Sequence, residues 1–188
     1  HTAKSGMSDF MSPGDVSDLS LSDEVAFRVQ FAGEIPPRNK LYWRGLVFSK
    51  LDDGVWSSIG WRDMPTAQRR VSKPVQTKGQ VTAYSVIMEP TQQNWLYALR
   101  YAESADRRVM SSNDFRLFSP NPVEDQRSYR ARSWMEQPLE LDLGLWRRSV
   151  ETSLPNVGNP RTRNLAQQMY QQAGSDDWQF VLDVLEMY

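Results

Sequence analysis

Val25, Phe27, Val29 and Phe31 alternate with Ala26, Arg28 and Gln30, and this two-residue period constrains the fold more than any other feature of the chain. Successive side chains of an extended chain point to opposite faces, so the alternation describes a strand with one face buried and the other wet. Gly33 and the Pro36-Pro37 pair end it. Further runs of strand length follow. LYWRGLVF at 41–48 leads to Leu51-Asp52-Asp53-Gly54, a hairpin turn in which Gly supplies the positive φ. VTAYSVIM at 81–88 is rich in β-formers and closes at Pro90. WLYALRY at 95–101 reads as a strand rather than a helical turn, by its length and its aromatics. FRLF at 115–118 and YRARSW at 129–134 are divided by the turn-forming Ser119-Pro120-Asn121-Pro122. Residues 60–79 hold two prolines and no period, and read as a loop. Roughly seven short strands at this spacing predict a mainly β fold: an antiparallel β-sandwich, immunoglobulin-like, or a partly open barrel.

The two ends read differently. Residues 1–22 are polar and turn-rich (Pro13-Gly14-Asp15, then SDLSLSDE), an extended lead-in that begins with a tag remnant or leader, HTAKSGM. The β domain is expected over 23–138 and a linker over 139–158, including Leu154-Pro155-Asn156-Val157-Gly158. Asn159-Pro160 then supplies an N-cap and a first helical residue. Leu165, Met169 and Ala173 give an apolar stripe, and Gly174 a stop. Ser175-Asp176-Asp177 opens a second helix with acids where the helix dipole favours them, completing a C-terminal helical hairpin over 159–188. Trp178, Val181, Leu182, Leu185 and Met187 keep that helix apolar to the end of the chain. An apolar face of this kind predicts a packing partner in chain that would follow it.

Composition bounds the chemistry. The 188 residues include no cysteine and one histidine, His1. Disulfides, thiolate metal sites and a cysteine nucleophile are excluded, and neither an imidazole base nor a Ser-His-Asp triad is available. No cofactor or metal is expected. The 22 basic and 23 acidic residues are interspersed, for a net charge of −1, with no basic footprint for nucleic acid or an anionic membrane. No apolar run approaches the roughly 18 residues that a bilayer span needs.

Several motifs resolve to plain readings. Asp52-Asp53-Gly54 with Asp63 lacks the alternating ligands and bidentate Glu of a Ca²⁺ loop and reads as a turn. Asp15, Asp18, Asp23 and Glu24 read as a solvated lead-in, and Ser17, Ser20 and Ser22 have no base. Arg69-Arg70, Arg107-Arg108 and Arg147-Arg148 are separated by acids and form no single anion-binding block. Trp43, Arg44, Trp56 and Trp61 remain as a candidate binding or docking set. In 41–48, Leu41, Trp43, Gly45 and Val47 share one face, and Tyr42, Arg44, Leu46 and Phe48 the other. Both faces are largely apolar, which predicts a central strand covered on both sides. Core packing is the expected role of these aromatics, and a stacking platform the alternative. A buried Arg44 would need a carboxylate or several carbonyls.

SPGDVSDLSLSDEVAFRVQFAGEIPP (12–37), LYWRGLVFSKLDDGVW (41–56), YSVIMEPTQQNWLYAL (84–99) and NPRTRNLAQQM (159–169) run in this order through nearly the whole chain. Together they resemble the extracytoplasmic segment of membrane-anchored bacterial transglutaminase-like proteins of the TgpA type. The resemblance implies a parent with several N-terminal transmembrane helices and this β-rich region on the periplasmic side of the inner membrane. A papain-like transglutaminase core and a further transmembrane helix would follow. The family's Cys-His-Asp triad lies in that core, beyond a helix like the one at 175–188, so no catalytic residue maps onto this chain. Residues 159–188 would be the opening helices of the core. The implied role is non-catalytic: positioning the core of the same chain, or its peptide or cell-wall substrate. The rival is an independent envelope β-sandwich that binds glycan or protein. An exposed line of Trp43, Trp56 or Trp61 beside a groove would favour that rival, and burial of all three would favour the scaffold. A stand-alone hydrolase would need two carboxylates about 5 to 10 Å apart in a cleft.

Overall fold

The structure, a computed structural model, describes residues 10–12, 25–60, 63–68, 77, 79–139, 143–155 and 157–187. As the alternation predicted, the chain is mainly β with helices at its C-terminal end, and every described strand pair is antiparallel. The strands are shorter and more numerous than expected. The first six are β1 (Phe10–Met11), β2 (Phe27–Phe31), β3 (Trp43–Arg44), β4 (Lys50–Asp52), β5 (Val55–Ser57) and β6 (Val81–Met88). The rest are β7 (Trp95–Leu96), β8 (Ala98–Leu99), β9 (Tyr101–Glu103), β10 (Met110–Ser111), β11 (Leu117–Phe118) and β12 (Arg127–Trp134). Three helices follow: α1 (Leu145–Glu151), within the stretch read as a linker, then α2 (Pro160–Gln172) and α3 (Asp177–Leu185). The chain divides into two compact units, His1–Ser153 and Leu154–Tyr188.

The first unit is built on the sheet β2-β6-β12-β9. Its two long strands pair over eight positions, Val81 opposite Trp134 through Met88 opposite Arg127. Period two puts Tyr84, Val86 and Met88 inside with Tyr129, Ala131 and Ser133, and leaves Ile87, Arg130 and Arg132 outside. Phe27, Val29 and Phe31 of β2 pack against the same core. The core's two most deeply placed phenols are paired, whereas the buried Trp95 indole N–H has no hydrogen-bond partner among the described residues. The Tyr84 hydroxyl accepts from the Leu99 N–H at 3.0 Å and lies 2.8 Å from the Ser133 hydroxyl. The Tyr129 hydroxyl donates to the Tyr97 carbonyl at 2.7 Å. Burial raises both phenols above their ordinary value, which keeps them neutral.

Residues 95–101 are not one strand. Trp95–Leu96 pairs with β11, Ala98–Leu99 with β3, and Tyr101–Glu103 with β12. The chain passes between three ladders in nine residues, through Arg100 in the left-handed region (φ 36°). All of 95–99 is buried, so this segment is the hub of the unit.

The stretch 41–57 also departs from expectation. Strand structure covers only Trp43–Arg44 of the predicted 41–48, and it sits in a two-stranded ladder with β8 rather than at the centre of a sheet. Tyr42 is 74% exposed, so the strand is not covered on both sides. Gly45 explains the early end. A Cβ there would lie 3.2 Å from the Trp95 ring and 3.3 Å from the Tyr97 ring, so the backbone runs against two aromatics instead of a partner strand. The hairpin lies later, between β4 and β5. Leu51 and Asp52 belong to a strand, and the turn is Asp53-Gly54 with φ of 46° and 77°, the two positive values a type I′ turn requires.

In the second unit Pro160 opens α2 as expected. Asn159 holds the N-cap position in the left-handed conformation (φ 49°), and its side chain makes no capping hydrogen bond, contrary to the capping role predicted for it. Gly174 at φ 65° ends α2, and the Ser175 N–H returns to the Tyr170 carbonyl at 3.0 Å, closing the helix end. Asp176 caps α3 by accepting from the Gln179 N–H at 2.8 Å.

Candidate functional site

Pairing with β8 sets Trp43 opposite Leu99 and Arg44 opposite Ala98. The Trp43 ring meets Phe27 and Tyr84 edge-on, with centroids at 5.2 and 5.4 Å, and Phe31 at a tilt. It packs on the rim of the core. The next residue points the other way, and the Arg44 guanidinium donates to the backbone carbonyl of Asp114 at 3.0 Å. Half-buried Arg44 therefore ends on a carbonyl of the β10–β11 connection.

That connection holds Asp114, the charged residue among the buried ones described. Asp114 is 6% exposed and forms an ion pair with Arg116 at 2.7 Å. The Ser112 hydroxyl donates to its other oxygen. Burial pushes the Asp114 carboxyl up, but the hydrogen bond and charge of Arg116, the Ser112 hydroxyl and the charge of Arg147 outweigh it, and the net direction is down. Arg116 also donates to the Ser58 hydroxyl at 3.3 Å, and Ser58 donates to the Val47 carbonyl at 2.7 Å. Arg147 of α1 pairs with Glu151 at 2.6 Å, and Glu151 accepts from the Ser49 hydroxyl at 2.8 Å. Helix α1 buries no residue completely, so these polar contacts hold it to the 47–58 segment.

The network pairs its charges with one another. Ser112 and Asp114 have no imidazole between them to carry a proton, and among the described residues no group of three His, Cys, Asp or Glu could hold a metal.

Of the four candidate residues, Trp43 and Arg44 are neighbours on one strand whose side chains serve different regions. Trp56 is half-buried in the separate β1-β5-β4 sheet, between Met11 and Leu51. Trp61 lies outside the described residues. Among the described three, Trp43 and Arg44 share one strand and Trp56 stands in another sheet. Among the described residues, two clefts of the first unit bear on the site. One, of about 560 Å³, lies over the outer face of the main sheet, floored by Ala83 and Ser85 and flanked by Gln30, Glu103 and Arg132. The other, of about 790 Å³, runs between the turn 106–109 and the loop 119–126. Neither is lined by Trp43 or Trp56.

Sequence reasoning missed Asp114-Arg116 as a buried pair and Arg107-Arg108 as a cleft wall. The signal for the first was present in SSNDFRLF: a run with Ser, Asn and Asp before an aromatic is a hairpin connection, and its charges alternate inward.

Residues 1–140 match the family described as the TgpA N-terminal domain. The chain belongs to that family. It is 39% identical over 168 residues to a Pseudomonas aeruginosa protein named protein-glutamine gamma-glutamyltransferase, covering 88% of this chain and 24% of the relative. The chain thus spans about a quarter of the length of that curated relative. It is also similar to the crystal structure of the periplasmic domain of TgpA from Pseudomonas aeruginosa, with 35% identity and a TM-score of 0.84 over 96% of this chain and 61% of that one. The same domain bound to ethylmercury matches with a TM-score of 0.81. The mainly β fold with C-terminal helices is therefore the fold of a periplasmic domain, and no described helix is long and apolar enough to cross a membrane.

Proposed function

We propose that this region is the non-catalytic periplasmic module of a membrane-bound transglutaminase-like enzyme, anchored at the inner membrane by segments outside these residues. The β unit positions the catalytic core of the same chain, or its peptide or cell-wall substrate, and 159–188 form the opening helices of that core. The observation that carries the proposal is the absence of any cysteine, with a lone histidine at residue 1, in a chain whose relative is named a gamma-glutamyltransferase. Acyl transfer through a thiolate needs a cysteine and a base, so that chemistry belongs to other residues of the parent. The second unit supports the same reading. Trp178 is 71% exposed and Leu185 65%, an apolar face of the kind that a following domain covers. The glycan-binding rival draws no support from Trp43, which packs on the core rim, or from Trp56, which lines neither cleft.

The test is removal of 23–138 from the full-length enzyme, keeping the helices and core. Activity on native envelope substrate, or placement of the enzyme, is expected to fall at least tenfold, with turnover of a small soluble acyl donor retained. Undiminished activity on native substrate with normal placement would overturn the proposal.

A further inference from the structure

The larger cleft is built before any ligand arrives. In one wall the Val109 N–H closes the turn on the Asp106 carbonyl at 2.9 Å. The Asp106 carboxylate accepts from the Arg130 N–H at 2.7 Å and from its guanidinium at 3.3 Å. The Arg108 carbonyl accepts from Arg127 at 2.6 Å. The other wall is strapped to 91–94. The Ser119 N–H donates to the Asn94 carbonyl at 2.7 Å, and the Asn94 side chain returns to the Ser119 carbonyl at 2.9 Å. The Thr91 and Gln92 N–H groups converge on the Val123 carbonyl, both at 3.0 Å. Gln92 is held at φ 60° to do so, a conformation that costs a non-glycine residue energy and persists only where surrounding bonds impose it. Arg127 ties the walls together, because its guanidinium also donates to the Ser119 hydroxyl.

The walls carry opposite charge. Arg107 and Arg108 occupy the corner of the turn, and Glu124 and Asp125 stand on the loop; all four are exposed. None belongs to an ion pair among the described residues. An anionic ligand gains from the arginines and is repelled by the acids, and a cationic one meets the reverse. A sugar finds no ring to stack on: Tyr129 is the aromatic among the lining residues, and it is 2% exposed. The ligand that satisfies both walls carries both charges. We propose that this cleft binds a peptide segment bearing a carboxylate, held by Arg107 and Arg108, and an ammonium group, held by Glu124 and Asp125. The site stands on the cleft alone and does not depend on the role proposed for the β unit.

The ¹⁵N-labelled chain titrated with the blocked peptide Ac-Ala-Glu-Lys-Ala-NH₂ tests this. Amide shifts confined to 106–109 and 119–126 are expected. Affinity should fall about tenfold in the Arg107→Ala/Arg108→Ala double variant, and about tenfold in Glu124→Gln/Asp125→Asn, as each removes a charge-assisted contact. Added salt should weaken binding as well. These exposed positions leave the rest of the spectrum unchanged if the fold is intact. The idea is overturned by an equal response to the neutral peptide Ac-Ala-Gln-Gln-Ala-NH₂, or by a stronger one to inorganic phosphate or chitotetraose. It is equally overturned by no shift at about 10 mM peptide, the limit of weak recognition, or by unchanged affinity in both double variants.

Discussion

Strand β6 and helix α3 carry equally clear apolar patterns and meet opposite fates. In β6 the inward set Tyr84, Val86 and Met88 is exposed by 3, 0 and 0%. In α3 no residue is buried, and Trp178, Val181 and Leu185 stay largely open. Periodicity states which face seeks cover. Whether the cover exists within a given stretch of chain is a separate fact. β6 finds it in the buried 95–99 segment, Leu117 and Trp43, which pack on its inward face, whereas the described contacts of α3 within its unit include the Phe180–Tyr170 ring contact at 5.6 Å and the Tyr170 hydroxyl donating to Asp177 at 3.1 Å.

The comparison can be broken or sharpened by substitution. Asp114→Ala should have the largest effect, about 3–5 kcal/mol off the β unit, because it strands the Arg116 charge in the interior; urea unfolding followed by tryptophan fluorescence reads it. A loss under about 1 kcal/mol would mean that the pair is solvated like a surface bridge. The pH dependence follows from the lowered carboxyl. A folded pKa below the unfolded value of about 3.9 gives stability that is complete above that value and is lost as pH falls through the folded pKa. Asp114→Asn should therefore flatten the acid limb below about pH 4 and leave the neutral range parallel.

Leu99→Ala, at the buried hub, should cost about 3 kcal/mol through lost contacts and a cavity, visible in the same unfolding curve. Gly45→Ala must push the Trp95 and Tyr97 rings aside and should cost about 1–3 kcal/mol. Asp176→Ala should weaken the start of α3 by about 1 kcal/mol. Faster hydrogen exchange at 178–180 with unaltered exchange in β6 and β12 is the expected pattern. Trp178→Ala should change unfolding of the β unit by less than about 0.5 kcal/mol. In the full-length enzyme the same change should cost about 3 kcal/mol or more if the core covers that face. Equal effects in both contexts would remove the contrast between the two regions.

Legibility followed the same divide. β2 was readable from its strict alternation, β6 from its β-forming composition closed by Pro90, and β12 in part, as the run 129–134 between turn-forming residues. The hairpin turn was readable from Asp53-Gly54, whose chemistry is local. The strand at 41–48 was misjudged because apolar residues on both faces carry no period, and only the approach of Trp95 and Tyr97 to Gly45 ends it. The candidate set Trp43, Arg44, Trp56 and Trp61 was chosen by residue type. Trp43 belongs to the core rim, and Arg44 reaches a carbonyl 70 residues away, a pairing that no local pattern announces.

The sequence by itself determined the β class, the strand character of the segments that hold β2, β6 and β12, the helix ends near Pro160, Gly174 and Asp176, and the absence of a thiol or a usable imidazole. Those depend on neighbours in the chain and on residue type alone. Only the tertiary structure decided that 95–103 serves three ladders, that buried Asp114 pairs with half-buried Arg116, and that Arg107-Arg108 and Glu124-Asp125 line one cleft. Each of these needs segments far apart in sequence to meet, and the energy of such a meeting is set by burial and pairing that exist only once the chain has folded.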